Sequence, residues 1–444
     1  MLAMRGYESW GRYPRTQPAG VVPVSWASEP PALDTYSEPV LAYGMGRSYG
    51  DCCLNDKGWL VETRGLNRFV SFDDQTGVLR CEAGVTLQEI LDLFVPRGWF
   101  LPVTPGTKIV TVGGAIANDI HGKNHHRAGT FGCHVTRFEL FRSNGQRLVC
   151  SPQENQEFFR ATIGGLGLTG LILWAELRLR KVSGPFIDVE QIRFRGLKEF
   201  FELTALSDRD YEYTVAWVDC LASGKQRGRG LFMRGNHGDS VTDSGSQSGK
   251  RPFLGIPFDM PPFLINRLTM RAFNTAYFYA GLRERKRAKV HYDTFFYPLD
   301  VVRNWNRLYG RRGFLQYQCV VSPLNERSAI EEILERVLRS RLVCGLAVLK
   351  QFGSVRSPGI LSFPRRGTTL AMDFPVEGDA TFRLCEELDN IVRRNSGAVY
   401  LAKDARVSRN SFRIFYPQWH DFSRFVDPHF SSSLWRRVAR DAPE

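Results

Sequence analysis

PVTPGTKIVTVGGAIANDIHGKNHH, residues 102–126, is the stretch on which the reading turns. Gly113-Gly114-Ala115 opens a run of small residues able to pack directly against a large planar ligand. Asp119, His121, Lys123, His125 and His126 then follow within eight residues. His121 and His125, four apart, would face one way on a helix and could hold zinc. Gly122 weakens a helix there, however, and neither an HExxH arrangement nor a cysteine ligand accompanies the pair, so no metal is expected. A lone histidine is usually structural, but a cluster this dense reads as a site.

Around this stretch, residues 38–183 consist of short apolar runs broken by glycine, such as 58–62, 77–81 and 168–174, which read as strands separated by turns. One helix is clear. Thr86 and Glu89 form a capping box, Leu87, Ile90, Leu91 and Phe94 share a face, and Pro96 and Gly98 stop the helix. The pattern is α+β, with strands outnumbering helices. From about Ser183 the texture changes. Strand-like alternation appears in 211–221 and 314–321, and helical periodicity in Ile330, Ile333, Leu334, Val337 and in Leu384, Leu388, Ile391. Residues 237–251 read as a mobile Gly/Ser/Asp loop.

Composition narrows the function classes. With 444 residues, 43% hydrophobic and 24% charged, the chain is globular and long enough for two domains. It holds no long uncharged apolar stretch, and its first residues lack the apolar region of a secretory signal. Nine cysteines without a CxxC pair read as a reduced, cytoplasmic chain. Fifty-nine basic against 46 acidic residues leave +13, which favours anionic partners. Nucleic acid is not expected, because no recognition motif is present. Residues 252–279 are rich in proline and aromatics and lead into Arg283, Arg285, Lys286, Arg287 and Lys289. Apolar bulk beside a basic cluster suits an anionic bilayer surface; a core segment followed by a solvated charge run is the plainer alternative.

Three further constellations accompany the opening stretch. Residues 43–51, YGMGRSYGD, form a glycine loop that could cradle a pyrophosphate, though not of the Rossmann type, since a strand rather than a helix follows. Residues 161–170, ATIGGLGLTG, form another. Lys403 stands among small residues in 399–406, VYLAKDAR, where it could stabilise an anion. In this order the four resemble the vanillyl-alcohol oxidase family of flavoproteins, and within it the decaprenylphosphoryl-β-D-ribose 2′-oxidase branch. The similarity covers GRSYGD (46–51), DIHGKNHH (119–126), GGLGLTG (164–170), AW (216–217), FYPLD (296–300), GFLQYQ (313–318), LSFP (361–364), DFP (373–375) and AKD (402–404).

The resemblance implies a two-domain fold: an FAD-binding domain of residues 1–184, a substrate domain with an antiparallel sheet at 185–397, and a C-terminal return, 398–444, completing the first. It implies FAD contacts at Gly46, Arg47, Ser48, Tyr49, Gly50, Gly106, Thr107, Gly113, Gly114, Ala115, Ala117, Asn118, His121, Gly122, Gly165, Gly170 and Lys403. Lys403, His121 and Tyr49 would be catalytic. Lys123, Trp217, Tyr297, Gln316, Gln318, Lys350, Asp373 and Tyr400 would line the substrate cavity. Arg47 occupies the position at which aldonolactone-type oxidases carry the histidine that tethers FAD, so non-covalent FAD is expected. Ala371 replaces the branch's pocket cysteine, which leaves the hydride chemistry untouched and removes a thiol that inhibitors could trap. The implied activity is oxidation of the 2′-hydroxyl of a polyprenyl-phosphate-linked pentose to the 2′-keto sugar. That step is the first half of an epimerisation giving the arabinose donor for cell-envelope glycans. An NAD-dependent short-chain reductase would complete it, and the enzyme would sit peripherally at the inner face of the plasma membrane. The alternative is a soluble aldonolactone- or alditol-type sugar oxidase.

Overall fold

The computed structural model describes residues 6–238, 254–280 and 284–439. The expected loop at 237–251 lies almost wholly outside the described residues, as do Pro252 and Arg283.

The expected first helix forms at Leu87–Phe94. Thr86 and Glu89 make the reciprocal capping bonds, the four apolar residues are buried, and the chain turns at Gly98 with φ 78°. That apolar face packs into one core with a five-stranded antiparallel sheet, ordered Phe69–Asp73, Val78–Glu82, Leu171–Arg178, Val135–Phe141, Arg147–Cys150. A three-stranded parallel sheet, Gly20–Pro23, Trp59–Glu62, Val40–Tyr43, lies at the N-terminal end of the chain and leads directly into the glycine loop.

The chain leaves the five-stranded sheet at Arg178 and enters an eight-stranded antiparallel one at Phe186. Its order is Arg285–His291, Phe186–Phe194, Gly230–His237, Tyr213–Val218, Ala347–Phe352, Gly367–Pro375, Phe314–Val321, Ala398–Val399. Helices Glu326–Ser340 and Asp379–Arg394 form where helical periodicity places them. They cover one sheet face, joining Leu315, Tyr317, Cys319, Leu349, Leu370, Met372 and Phe374 in a single apolar core. Strand alternation then forces Gln316, Gln318, Lys350, Thr369 and Asp373 onto the opposite face. That face meets the N-terminal half of the chain, where the Thr214 amide donates to the Lys123 carbonyl.

Two features depart from the plainer reading of residues 252–290. The aromatic part is core on one face only: helix Arg267–Tyr279 buries Phe278 with Trp217 and Leu231 and leaves Leu268 79% and Phe273 56% exposed. The basic part is not a free charge run either. Strand Arg285–His291 is a sheet edge, and both Arg285 and Arg287 lean on buried Glu190.

After Ala398–Val399 the chain turns back toward the glycine loop. The Tyr49 amide donates to the Ala402 carbonyl at 2.9 Å, and a side chain at position 50 would strike the Asp404 carbonyl. Arg406 Nη2 donates to both carboxylate oxygens of Asp389 in the 379–394 helix, at 2.7 and 2.6 Å, with the Asp389 side chain fully buried. Removing one member of such a pair leaves an uncompensated buried charge, costing roughly 3–5 kcal/mol. Arg406→Met is therefore expected to lower unfolding free energy by about that amount. Denaturant titration checks this, and Arg406→Met with Asp389→Asn should recover part of the loss.

Candidate active site

The glycine loop carries Gly46, Arg47, Ser48, Tyr49 and Gly50 between strand Val40–Tyr43 and a short turn at Asp51–Cys53. Gly46 has φ 59°, and a Cβ there would run into the Tyr43 hydroxyl and the Glu8 carbonyl. No acceptor among the described residues takes the amides of Gly46, Arg47 and Ser48. Consecutive amides of this kind are what a pyrophosphate needs. The Arg47 guanidinium lies over the Trp10 ring, 4.1 Å from its centre, its Nε buried without a partner, and burial lowers its pKa.

The opening stretch forms the facing wall. A Cβ at Gly106 would meet open space, and Thr107 sits beside Asp300, which accepts the Lys108 amide. Gly113, Gly114, Ala115 and Ala117 form the short helix Val112–Ala117, capped by Thr111, and the Gly113 amide donates to Ala83. Asn118 ends it, donating to the Gly114 carbonyl, and the Tyr400 hydroxyl donates to the Asn118 carbonyl at 2.8 Å. The third glycine loop is tied to this helix through Gly164 and Leu166 amides on Ile116 and Ala117 carbonyls. Gly165 and Gly170 press against the backbone of Ala161 and Phe141, so both are needed for close approach.

His121 joins the two halves. Its Nδ1 lies 3.2 Å from Lys350 Nζ and its Nε2 lies 2.9 Å from the Gln318 side-chain amide. Burial and the neighbouring Lys350 push its pKa well down, so the ring is neutral and carries one proton. With the Lys350 ammonium donating to Nδ1, that proton sits on Nε2, and Gln318 must offer its carbonyl oxygen there. Next to it Gly122 approaches the backbone of Thr104, and Lys123 donates to the Phe295 carbonyl while lying over that ring. His121 and His125 do not share a helical face: His125 begins a separate short helix, His125–Ala128. Among the described residues, no three His, Cys, Asp or Glu side chains gather to hold a metal ion.

Three lysines thus converge. Lys403 Nζ stands 3.6 Å from the centre of the Tyr49 ring. Burial lowers Lys123 and Lys403 to about 7 and Lys350 to about 8. All three are mostly buried yet keep some accessible surface, and Lys350 lies close enough to Lys123 and Lys403 to lower both further. Asp373 is the acid on the same sheet face, accepting from Gln316 at 2.6 Å and pushed up to about 7 by burial.

One expected cavity residue stands apart: the Tyr297 hydroxyl bonds Thr104 at 2.5 Å inside the apolar core of the N-terminal half. Trp217 lies on the polar face of the large sheet, in a cross-strand row with Val348, Ala371 and Gln318, and is capped by Tyr277 of the exposed helix, ring centres 4.9 Å apart. Two positioning features escaped the sequence reading. Asp119, at φ 39°, accepts from Ser357, Ser362 and the Gly132 amide and so pins the 357–362 loop. Phe352 and Phe363 wall His121 at 4.8 and 6.1 Å. The aspartate lies in the opening stretch, but its serines are some 240 residues away.

These residues fit FAD: unpaired loop amides for the pyrophosphate, small residues for the ring system, and buried cations for the charge of the reduced flavin. An arginine at position 47 cannot form the tether. Acid precipitation of the yellow protein should therefore release all flavin to the supernatant, with no fluorescence on the denatured band.

Comparison with known proteins places these features in a family. The FAD binding domain family matches residues 32–151. Decaprenylphosphoryl-β-D-ribose oxidase of Mycolicibacterium smegmatis is 35% identical over 413 residues, covering 90% of this chain and 89% of that protein. A Streptomyces coelicolor protein, described as an uncharacterized protein in the mprA 5′ region, is 34% identical over 372 residues, covering 80% of this chain and all of the relative. The Neurospora crassa putative D-arabinono-1,4-lactone oxidase matches only 30% of this chain, at 32% identity. The chain belongs to the vanillyl-alcohol-oxidase-type family of FAD-dependent oxidoreductases acting on CH–OH groups, in the branch that includes decaprenylphosphoryl-β-D-ribose oxidase.

Proposed function

We propose that the chain oxidises the 2′-hydroxyl of a pentose joined through phosphate to a polyprenyl chain, giving the 2′-keto sugar. The observation that carries this reading is the three-lysine chamber, together with similarity spanning nine-tenths of the chain to a relative named for such a substrate. The scheme of residues 1–184 and 398–444 around FAD, with 185–397 over the substrate, is part of the proposal.

FAD, when bound, accepts the hydride leaving the carbinol carbon. The protein supplies the rest. Lys403, poised over Tyr49, places a positive charge where negative charge develops in the reaction. His121 holds Lys350 and Gln318 in fixed orientations, and these two with Lys123, Gln316, Asp373 and Tyr400 offer donors and acceptors to sugar hydroxyls and phosphate. Burial excludes water, which strengthens each of these interactions. Trp217 closes the same sheet face under the exposed helix, and Tyr297 acts one layer out through Thr104.

A lipid-linked substrate requires work at a membrane surface. Leu268, Phe273 and Tyr279 of helix 267–279, with Phe263 ahead of it, are exposed, and Arg271 lies among them. None of the described helices is long and apolar enough to cross a membrane, so docking is proposed to be peripheral, at the inner leaflet. The nine unpaired cysteines suit that reducing side. A short-chain reductase using NAD is the proposed consumer of the keto sugar.

Anaerobic mixing with the lipid-linked phosphopentose should bleach the flavin stoichiometrically, while free pentoses and alditols should not. Bleaching by free alditols alone would turn the assignment to the alditol-oxidase type. Lys403→Met should keep FAD but slow bleaching by roughly 10²–10³-fold; a rate within a few-fold of wild type removes Lys403 from the chemistry. Anionic liposomes should co-sediment the protein in low salt, and Leu268→Asp with Phe273→Asp should abolish this. Reversing Arg285 and Arg287 is the poorer test, since it would also set two carboxylates beside buried Glu190 and leave Arg234 as its arginine partner.

A further inference from the structure

Alcohol oxidation releases a proton as well as a hydride, and the proton needs an acceptor inside the chamber. Most candidates are already engaged, Lys123 by the Phe295 carbonyl and Lys350 by His121, while Lys403 serves as the cation of the reaction. Both His121 nitrogens are occupied by Lys350 and Gln318. Asp51 and Asp404 are bound to Arg437, and Asp389 to Arg406. Asp119 accepts from two serines and an amide. Asp300 accepts the Lys108 amide. Burial raises Tyr49 well above its ordinary value, so it stays a neutral phenol.

We propose that Asp373 is the catalytic residue that takes the substrate's hydroxyl proton; this rests on the sugar-oxidase reading above. Asp373 lies near the end of strand Gly367–Pro375 on the polar face of the large sheet, and the residue is 1% exposed. Gln316, directly opposite in register, donates to Oδ1 at 2.6 Å, which fixes the carboxyl plane. Oδ2 is buried without a partner. An orphaned buried carboxylate oxygen is costly, and a ligand hydroxyl would relieve it. The titratable groups facing Asp373 are Tyr49 of the glycine loop, Tyr309 of the 305–309 turn, Cys344 ahead of strand Ala347–Phe352, and Lys403 of the C-terminal turn. Lys403 is the cation among them and favours the carboxylate.

The step balances as follows. The O–H bond breaks and its proton goes to Asp373 Oδ2. The carbinol C–H bond breaks and its hydrogen leaves with the electron pair to FAD, the oxidant of the established activity. The C–O bond becomes a carbonyl. Burial, opposed by Gln316 and Lys403, holds Asp373 at about 7. The base form is the ionised one, so Asp373 gives a rising limb, while Lys403, lowered to about 7, loses its charge over the same range and gives a falling one; flavin reduction should therefore be bell-shaped about neutral pH, its rising limb belonging to Asp373.

The test uses Asp373→Asn holoenzyme. Its FAD content should match wild type, flavin reduction should fall by roughly 10²–10⁴-fold, and the rising limb near neutral pH should disappear. Asp373→Glu should restore part of the rate together with a limb. Infrared difference spectra of wild-type holoenzyme without substrate should show one buried carboxyl losing its proton through about pH 7, absent in the Asn variant. A variant that reduces flavin within a few-fold of wild type with its pH limb intact overturns the proposal. So does a wild-type spectrum without a carboxyl titrating there, even if the variant fails to fold. If no sugar bleaches the wild-type flavin, the substrate assignment fails, while the infrared titration still judges Asp373 separately.

Discussion

A β-sheet buried on both faces must find partners for whatever side chains point each way. Here strand 314–321 is buried at every position, with Leu315, Tyr317 and Cys319 on one side and Gln316 and Gln318 on the other. The apolar side is satisfied by two helices. The polar side is satisfied partly within the sheet, Gln316 on Asp373, and partly by docking against the N-terminal half, where His121 bonds Gln318 and Lys350 together. The site exists because that face cannot be left dry and unpaired.

The same burial sets the site's electrostatics. Water leaves, so each lysine's charged form becomes costly and its pKa falls toward neutrality. A chamber holding three lysines and Asp373 is short of negative charge. Anionic occupants would relieve this, and a reduced flavin and a substrate phosphate both qualify. Asp373 experiences the opposite pressure, and Gln316 and Lys403 pull it part of the way back.

Legibility from sequence followed the range of the interactions. The 87–94 helix was readable because its capping box and apolar face are all local. Helices 326–340 and 379–394 were readable from period alone. The glycine loop and the DIHGKNHH stretch marked the site, since their chemistry is carried by consecutive residues. Other features depend on contacts across hundreds of positions. The exposure of Leu268 and Phe273, the Asp119–Ser357–Ser362 lock, and the engagement of Tyr297 with Thr104 are of this kind. A basic run likewise gives no hint that Glu190 stands opposite it in register.

The central claim is that the C2 carbon of a lipid-linked pentose gives up its hydrogen to the flavin. Anaerobic rapid-mixing with the polyprenyl phosphopentose deuterated at C2, followed by mass spectrometry of the product, tests it most directly. Flavin bleaching should be slower with the deuterated substrate, and the product should have lost the deuterium and one hydroxyl hydrogen. Bleaching at an unchanged rate, with the deuterium retained in the product, would contradict it.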